Sequence, residues 1–289
     1  MMNFFHAVAS AGRVGTTPLL PLLDVYPGAG TALAIGVIKL RTAYTGACIR
    51  IRRASDNAES DIGFDANGFL NVATINAFCS GTTGFVRTIY NQNGGTNHVA
   101  QTTTSRQPRI YQTGAVITDS NGLPAILGNG TSTGMTFTQI VADGDSVFGI
   151  MSTNNTGLNH LLGTSTTNYN QIRTYLNALE YARVTNPYLL GTPSASAIIS
   201  TGISTANHIF YMDFGSSDLV GSTDNVAGTT FTKYGTAQVE FNQFMALRIG
   251  LGGQTYLNGR TQLCIIYNGS MRTDATAIVN HLNTQMSVY

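Results

Sequence analysis

At 289 residues and 43% hydrophobic content the chain is long enough to bury a large core, and a β-sandwich of this size is commonly one domain. Only 10% of its residues are charged, against about 25% in a typical soluble domain; 32 glycines and abundant Thr, Ser and Asn take their place. A net charge of +1 without a basic stripe argues against nucleic acid as a main partner, and no apolar run reaches the roughly 18 residues of a membrane span.

Residues 1–22 are mixed apolar, with Pro18 and Pro21 framing a Leu pair. Proline removes a ladder donor and restricts its predecessor, so this stretch reads as an extended arm. Its opening, Met1–Ala11, lacks a Lys/Arg n-region and holds His6 in a short apolar run, which favours a docked arm over a signal peptide. The arm is expected to serve as an anchor or assembly contact. Residues 23–289 follow as one domain without an internal repeat or linker.

The block Ala32–Arg41 predicts a short helix from the spacing of Leu33, Val37 and Leu40, weakened by Gly36. From Cys48 onward, short runs rich in Val, Ile, Thr, Tyr and Phe recur between turn signals. They include Cys48–Arg52, Gly84–Tyr90, Arg109–Gln112, Met135–Ala142, Val147–Ser152, His208–Phe214 and Thr261–Tyr267. The intervening Asn-Gly and Asp-Gly steps accept the positive φ of tight turns. A dozen such strands without long helices predict an all-β, concanavalin-like β-sandwich (jelly roll). Ile278, Leu282 and Met286 fall four apart, which predicts a short C-terminal helix over Asp274–Met286, capped by Thr273 or Asp274 and covering a sheet edge or face. Arg50 and Arg52 alternate with Ile49 and Ile51, as on a half-buried strand with solvated or carboxylate-paired arginines.

Cys48, Cys79 and Cys264 show no C-x-x-C spacing, which indicates neither a zinc ribbon nor a disulfide framework. They read as small buried thiols, with a Cys48–Cys79 bridge as the alternative. The five histidines are isolated, and no cofactor is expected. Asp213, Asp218 and Asp224 lack D-x-D-x-D spacing, so a Ca²⁺ loop built on them is the alternative to no metal.

Two stretches carry a family resemblance. One holds Tyr44-Thr45-Gly46 and Arg53-Ala54-Ser55-Asp56; the other holds Phe78-Cys79, Tyr90-Asn91-Gln92-Asn93-Gly94-Gly95 and Gln107-Pro108-Arg109-Ile110. They resemble the catalytic domain of the fungal α-L-arabinofuranosidase B family. A third, Leu257–Asn268 leading into the terminal helix, resembles the end of laminin-G/concanavalin-like modules of bacteriophage structural proteins. The residues themselves read first as turn braces, with Tyr90, Asn91, Gln92 and Asn93 as candidate ligand contacts.

Glycoside hydrolysis normally takes two carboxyl groups flanking the bond. The resemblance implies a general-acid Asp directly after a Gly-Gly pair, but after Gly252-Gly253 this chain has Gln254, whose amide cannot deliver a proton. Gln254 is therefore kept only as a candidate ligand contact. The family's vicinal cysteine pair is absent, its short cysteine loop after Cys79 meets Gly84 where the second cysteine is implied, and its nucleophilic Glu has no evident counterpart. Glu180 and Glu240 are the nearest carboxylates on offer. Neither a G-x-S-x-G elbow nor a P-loop is present.

The expectation is a non-enzymatic bacteriophage virion surface protein: a capsid decoration, spike or tail-fibre head. Its partners would be other virion proteins reached through the arm, further copies of itself in a homo-oligomer (a trimer by analogy), and a host surface glycan. The alternatives are a stand-alone carbohydrate-binding module and a glycoside hydrolase of arabinofuranosidase type.

Overall fold

The computed structural model describes residues 19–289, apart from 156, 165–169, 176–177, 183–195, 202–203, 229, 233–238 and 250–252. The expected arm over 1–22 thus lies almost wholly outside the described residues. Its last part enters α1 (Leu22–Val25), where Leu22 is fully buried.

The first half of the chain holds β1 (Thr31–Gly36), β2 (Ile49–Arg53), β3 (Glu59–Ile62), α2 (Val72–Phe78), β4 (Gly84–Ile89), β5 (Val99–Ala100), β6 (Arg109–Gln112), β7 (Ala115–Val116), β8 (Ile126–Leu127) and β9 (Met135–Val141). Next come β10 (Ser146–Thr153), β11 (Asn159–Gly163), β12 (Gln171–Tyr175), β13 (Ala178–Ala182), β14 (Ser196–Thr201), β15 (His208–Phe214) and β16 (Asp218–Thr223). The chain closes with β17 (Val226–Ala227), β18 (Phe231–Thr232), β19 (Glu240–Phe244), β20 (Ala246–Ile249), β21 (Gly253–Tyr256), β22 (Gly259–Tyr267) and α3 (Ala275–Met286).

These strands form the expected all-β sandwich. One layer runs β16–β15–β10–β22–β1, all antiparallel, with β10 at its centre. The other runs β3–β2–β4, then through β5 to β9–β19–β11–β12–β13–β14. The layers meet at Gly149 of β10. A Cβ there would stand 2.2 Å from the Phe210 ring and 3.0 Å from Leu161 of β11, so only glycine admits both side chains. Phe148, Phe210, Phe241, Phe244 and Tyr267 are fully buried and anchor the core.

The predicted helix over Ala32–Arg41 is a strand at its start. Thr31–Gly36 pairs with β22, and Leu33 to Ile38 are all buried. A strand covered on both faces is a continuous apolar run, which helical spacing imitates over so short a stretch. Helix α3 is as expected and packs on β15 and α1, burying Ile278, Val279, Leu282 and Met286. Its N-cap Asp274 makes no side-chain cap bond. The other end closes in left-handed Ser287, where Asn283 Oδ1 accepts from the Val288 and Tyr289 amides. No helix among the described residues is long and apolar enough to cross a membrane.

All three cysteines are buried free thiols, so Cys48 and Cys79 are not bridged. On β2, Arg50 pairs bidentately with Asp61 at 2.7 and 2.8 Å. Arg52 is buried between Gln107, Asn57 and the Phe85 ring.

Candidate active site

The turn after β4 is tied to the sandwich by its own side chains. Asn91 Oδ1 accepts from the Ala34 amide at 2.9 Å, and its Nδ2 donates to the Ala32 and Asn97 carbonyls. Gln92, 1% exposed, accepts from the Leu40 amide at 2.8 Å and donates to the Gly36 and Ile38 carbonyls. Asn93 donates to Thr31 and Ala32 and accepts from the Gly95 amide, while Tyr90 donates to Asp61. Asn91, Gln92 and Asn93 thus supply hydrogen bonds that β1 and its continuation would otherwise lack.

The candidate glutamates stand apart. Glu180 on β13 is buried against Arg173 on β12, with Nη2 and Oε2 2.8 Å apart. Arg173 also donates to Gln171, whose Oε1 meets Nε2 of the fully buried His160 on β11. Burial pushes that imidazole down to about 4, with the nearby Arg173 charge acting in the same direction and the Gln171 bond against it. Glu240 stands opposite Val141, on β19. Three strand spacings, about 14 Å, separate β19 from β13. Two carboxylates flanking one glycosidic bond stand roughly 5 to 9.5 Å apart, so Glu180 and Glu240 cannot form the pair. Gln254 lies in the β20–β21 hairpin, opposite Arg248, and this hairpin packs over β11.

A different carboxylate group gathers where β10 begins, β15 ends and β22 turns into α3. Ser146 and Asp213 are register partners across β10 and β15. Asp213 is wholly buried; its Oδ2 accepts from the Ser146 and Ser270 hydroxyls, and its Oδ1 accepts from Arg272 at 2.7 Å. Arg272 also grips Asp218 in a two-pronged contact of 2.8 and 2.9 Å. The Arg272 bonds hold Asp218 below the usual carboxylate range. Asp145, half-buried, accepts from the Gly269 amide at 2.7 Å. Burial pushes its carboxyl up, the charges of Asp143 and Asp213 add to the rise, and the Gly269 bond opposes it. Asp145 therefore holds its proton more tightly than a free carboxyl, and Asp218 gives its proton up more readily.

The three aspartates of the Ca²⁺ alternative are not brought together. Asp213 and Asp218 share Arg272, whereas Asp224 pairs with His208 beyond the far end of β16. Among the described residues no group of three His, Cys, Asp or Glu is placed to hold a metal. The sequence reading passed over Asp145 and Asp213 as acid–base candidates; their separation of 68 positions is closed only by the β10–β15 pairing.

The family described as "Alpha-L-arabinofuranosidase B, catalytic" matches residues 23–175, more than half of the chain. The chain belongs to this family. The probable α-L-arabinofuranosidase B of Aspergillus terreus is 37% identical over 106 residues, 34% of this chain and 21% of that protein. The α-L-arabinofuranosidase of Hypocrea jecorina is 37% identical over 81 residues, 27% of this chain and 16% of that protein. The matched stretches thus span about a fifth of the length of these curated relatives. A solved GH54 α-L-arabinofuranosidase, soaked with a cyclic sulfate inhibitor, superposes with a TM-score of 0.63 at 14% identity. That likeness covers 92% of this chain and 66% of the other, and it supports the sandwich fold.

Membership of the arabinofuranosidase B family overturns the expected non-enzymatic virion surface protein, because the matched relatives are fungal proteins named as enzymes. The virion-protein partners expected for residues 1–22 and the virion-surface location fall with it, as does the bacteriophage resemblance read from Leu257–Asn268. The arabinofuranosidase B resemblance read from Tyr44–Asp56 and Phe78–Ile110 stands, and both stretches lie inside the matched range. Its cysteine loop has a physical trace here: a Cβ added to Gly84 would stand 2.7 Å from Cys79 Sγ and 3.7 Å from Cys79 Cβ.

Proposed function

We propose that the chain is a glycoside hydrolase of arabinofuranosidase type, with Asp145 as proton donor and Asp218 as the ionised base or nucleophile. The observation that carries this assignment is the placement of two carboxyls at one end of the β10–β15–β16 sheet, Asp145 on the Gly269 amide and Asp218 on the Arg272 fork, with burial pushing the first up and Arg272 holding the second down. Family membership supplies the reaction class. β10 and β16 are separated by β15, so the two backbones stand about 10 Å apart, within reach of side chains that must flank one bond.

In this reading Asp145 protonates the leaving oxygen, and Asp218 either attacks the anomeric carbon or activates water. Asp213 does not touch substrate. It is a buried charge that raises Asp145 and is itself neutralised by Arg272. Gln254 contributes no proton, and Glu180 lies away from this cluster, on β13.

The test is turnover of 4-nitrophenyl α-L-arabinofuranoside and of an arabinofuranosyl oligosaccharide by the wild type, Asp145→Asn and Asp218→Asn. Nitrophenol leaves without protonation, so Asp145→Asn should spare the aryl substrate and lower oligosaccharide turnover about 10²–10⁴-fold. Asp218→Asn should abolish both. Full activity in both variants, with loss in Glu180→Gln or Glu240→Gln, would move the site elsewhere.

A further inference from the structure

Sequence reading left the histidines isolated, but the β15–β16 hairpin brings one of them into a three-residue chain. Asp224 Oδ2 lies 2.5 Å from His208 Nδ1, and His208 Nε2 lies 3.0 Å from Ser204 Oγ. Asp224 is oriented in turn by the Ile209 amide, which donates to Oδ1 at 2.8 Å. A carboxylate on Nδ1 fixes that proton there, so Nε2 offers its lone pair to the serine hydroxyl. Ser204 is exposed, and its loop is held by the Ala206 amide on Ser204 Oγ and by Asn207 Nδ2 on Gln262 Oε1.

Two spaces adjoin this chain. A narrow crevice of about 10 Å³, lined by Ser204, His208, Leu179, Phe210, Thr174 and Thr223, runs between the sheets. The hydroxyls of Thr174 and Thr223 are buried there without a hydrogen-bond partner. Unpaired buried hydroxyls cost free energy unless something polar meets them. Beside the loop an open groove of about 390 Å³ is lined by Thr205, Asp119, Asn154 and Arg260.

We propose that Ser204, His208 and Asp224 form a second hydrolytic site that removes a small acyl group, of acetyl size, from an ester of a polyhydroxylated alcohol. The crevice has room for little beyond a water-sized group, which sets the acyl limit at its smallest, and its orphan hydroxyls are the donors on offer to the acyl oxygen. The groove presents donors and acceptors suited to an alcohol rich in hydroxyls. Ser204 Oγ adds to the ester carbonyl carbon as its proton passes to His208 Nε2. The carbon–oxygen bond to the alcohol then breaks, and the alcohol leaves with that proton. Water repeats the addition on the acyl-serine, releasing the carboxylic acid and restoring the hydroxyl. This site is separate from the carboxylate cluster: His208 and Asp213 end opposite halves of β15, about 17 Å apart along the strand.

A fluorophosphonate probe followed by peptide mass spectrometry should label Ser204 in the intact chain, and His208→Gln should block the labelling. The wild type should hydrolyse 4-nitrophenyl acetate at least 10-fold faster than the decanoate, and Ser204→Ala should lose the acetate activity. Asp224→Asn keeps the turn and the Ile209 bond, so kcat should fall about 10²–10⁴-fold while the thermal midpoint holds. Absence of label on Ser204, or acetate hydrolysis by Ser204→Ala at the wild-type rate, would overturn the proposal.

Discussion

Gly84→Cys should close a disulfide with Cys79. The position is prepared for it: the added Cβ would lie 3.7 Å from Cys79 Cβ, within the 3.5–4.5 Å or so that disulfides span. Gly84 does not have a positive φ, so a side chain is tolerated by the backbone. The loop closed, Cys79 to Gly84, has six residues. Chain-entropy arithmetic for such a loop gives about 2 kcal/mol at 25 °C. The Tyr111 Cβ, 3.0 Å from the new Cβ, must yield slightly and takes back part of that gain. At about 2.1 cal/mol/K per residue of unfolding entropy, a chain of this length gains about 3 °C in midpoint. Thiol titration under denaturing, non-reducing conditions should find two free thiols in the oxidised variant, against three in the wild type. Calorimetry with and without reductant should show the shift in the variant alone. A variant that keeps four free thiols, or is less stable oxidised than reduced, would refute the placement of β4 against Cys79.

Other expected outcomes follow from the same contacts. Arg272→Ala leaves the buried Asp213 without its cation and should cost about 3–5 kcal/mol, read by denaturant midpoint, with Arg272→Lys recovering only part because it cannot fork to both carboxylates. Gln92→Ala strands the Leu40 amide and the Ile38 carbonyl, while Gly36 keeps the Cys48 thiol, and should cost at least about 2 kcal/mol. His160 is pushed down to about 4, so the unfolded chain binds the extra proton first. Its contribution is complete above about pH 6.5 and is lost as pH falls toward 4, a change on the order of 3 kcal/mol. His160→Gln should flatten that acid limb in a pH series of urea midpoints. Gln254→Asp restores a titratable group at the position where the family resemblance implies an acid; with Asp145 as proton donor it should leave oligosaccharide turnover within about threefold.

Much of the sandwich was legible because its strands are short, β-branched and bounded by turn residues. His208–Phe214 and Arg109–Gln112 fall on strands with those same bounds. Strand β1 was missed because full burial erases the alternation that marks a strand, leaving Leu33, Val37 and Leu40 at helical spacing. The roles of Asn91 and Gln92 as stand-ins for ladder partners lie in contacts more than 50 residues away in sequence. The groups proposed to carry chemistry were the least legible. Asp145 and Asp213 are ordinary turn-flanking aspartates until β10 and β15 pair, and Ser204 meets Asp224 only through His208 and the β15–β16 hairpin. Spacing along the chain carries neither grouping. Tyr44–Asp56 and Phe78–Ile110 lie inside the family match, and their side chains brace turns and the sheet.

The most direct test of the central claim is arabinose release from an arabinofuranosyl oligosaccharide, followed by NMR for the wild type and Asp145→Asn side by side. The account predicts release by the wild type and a fall of about 10²–10⁴-fold in the variant, with 4-nitrophenyl arabinofuranoside far less affected. Equal release by both proteins, or none by the wild type from either substrate, would contradict it.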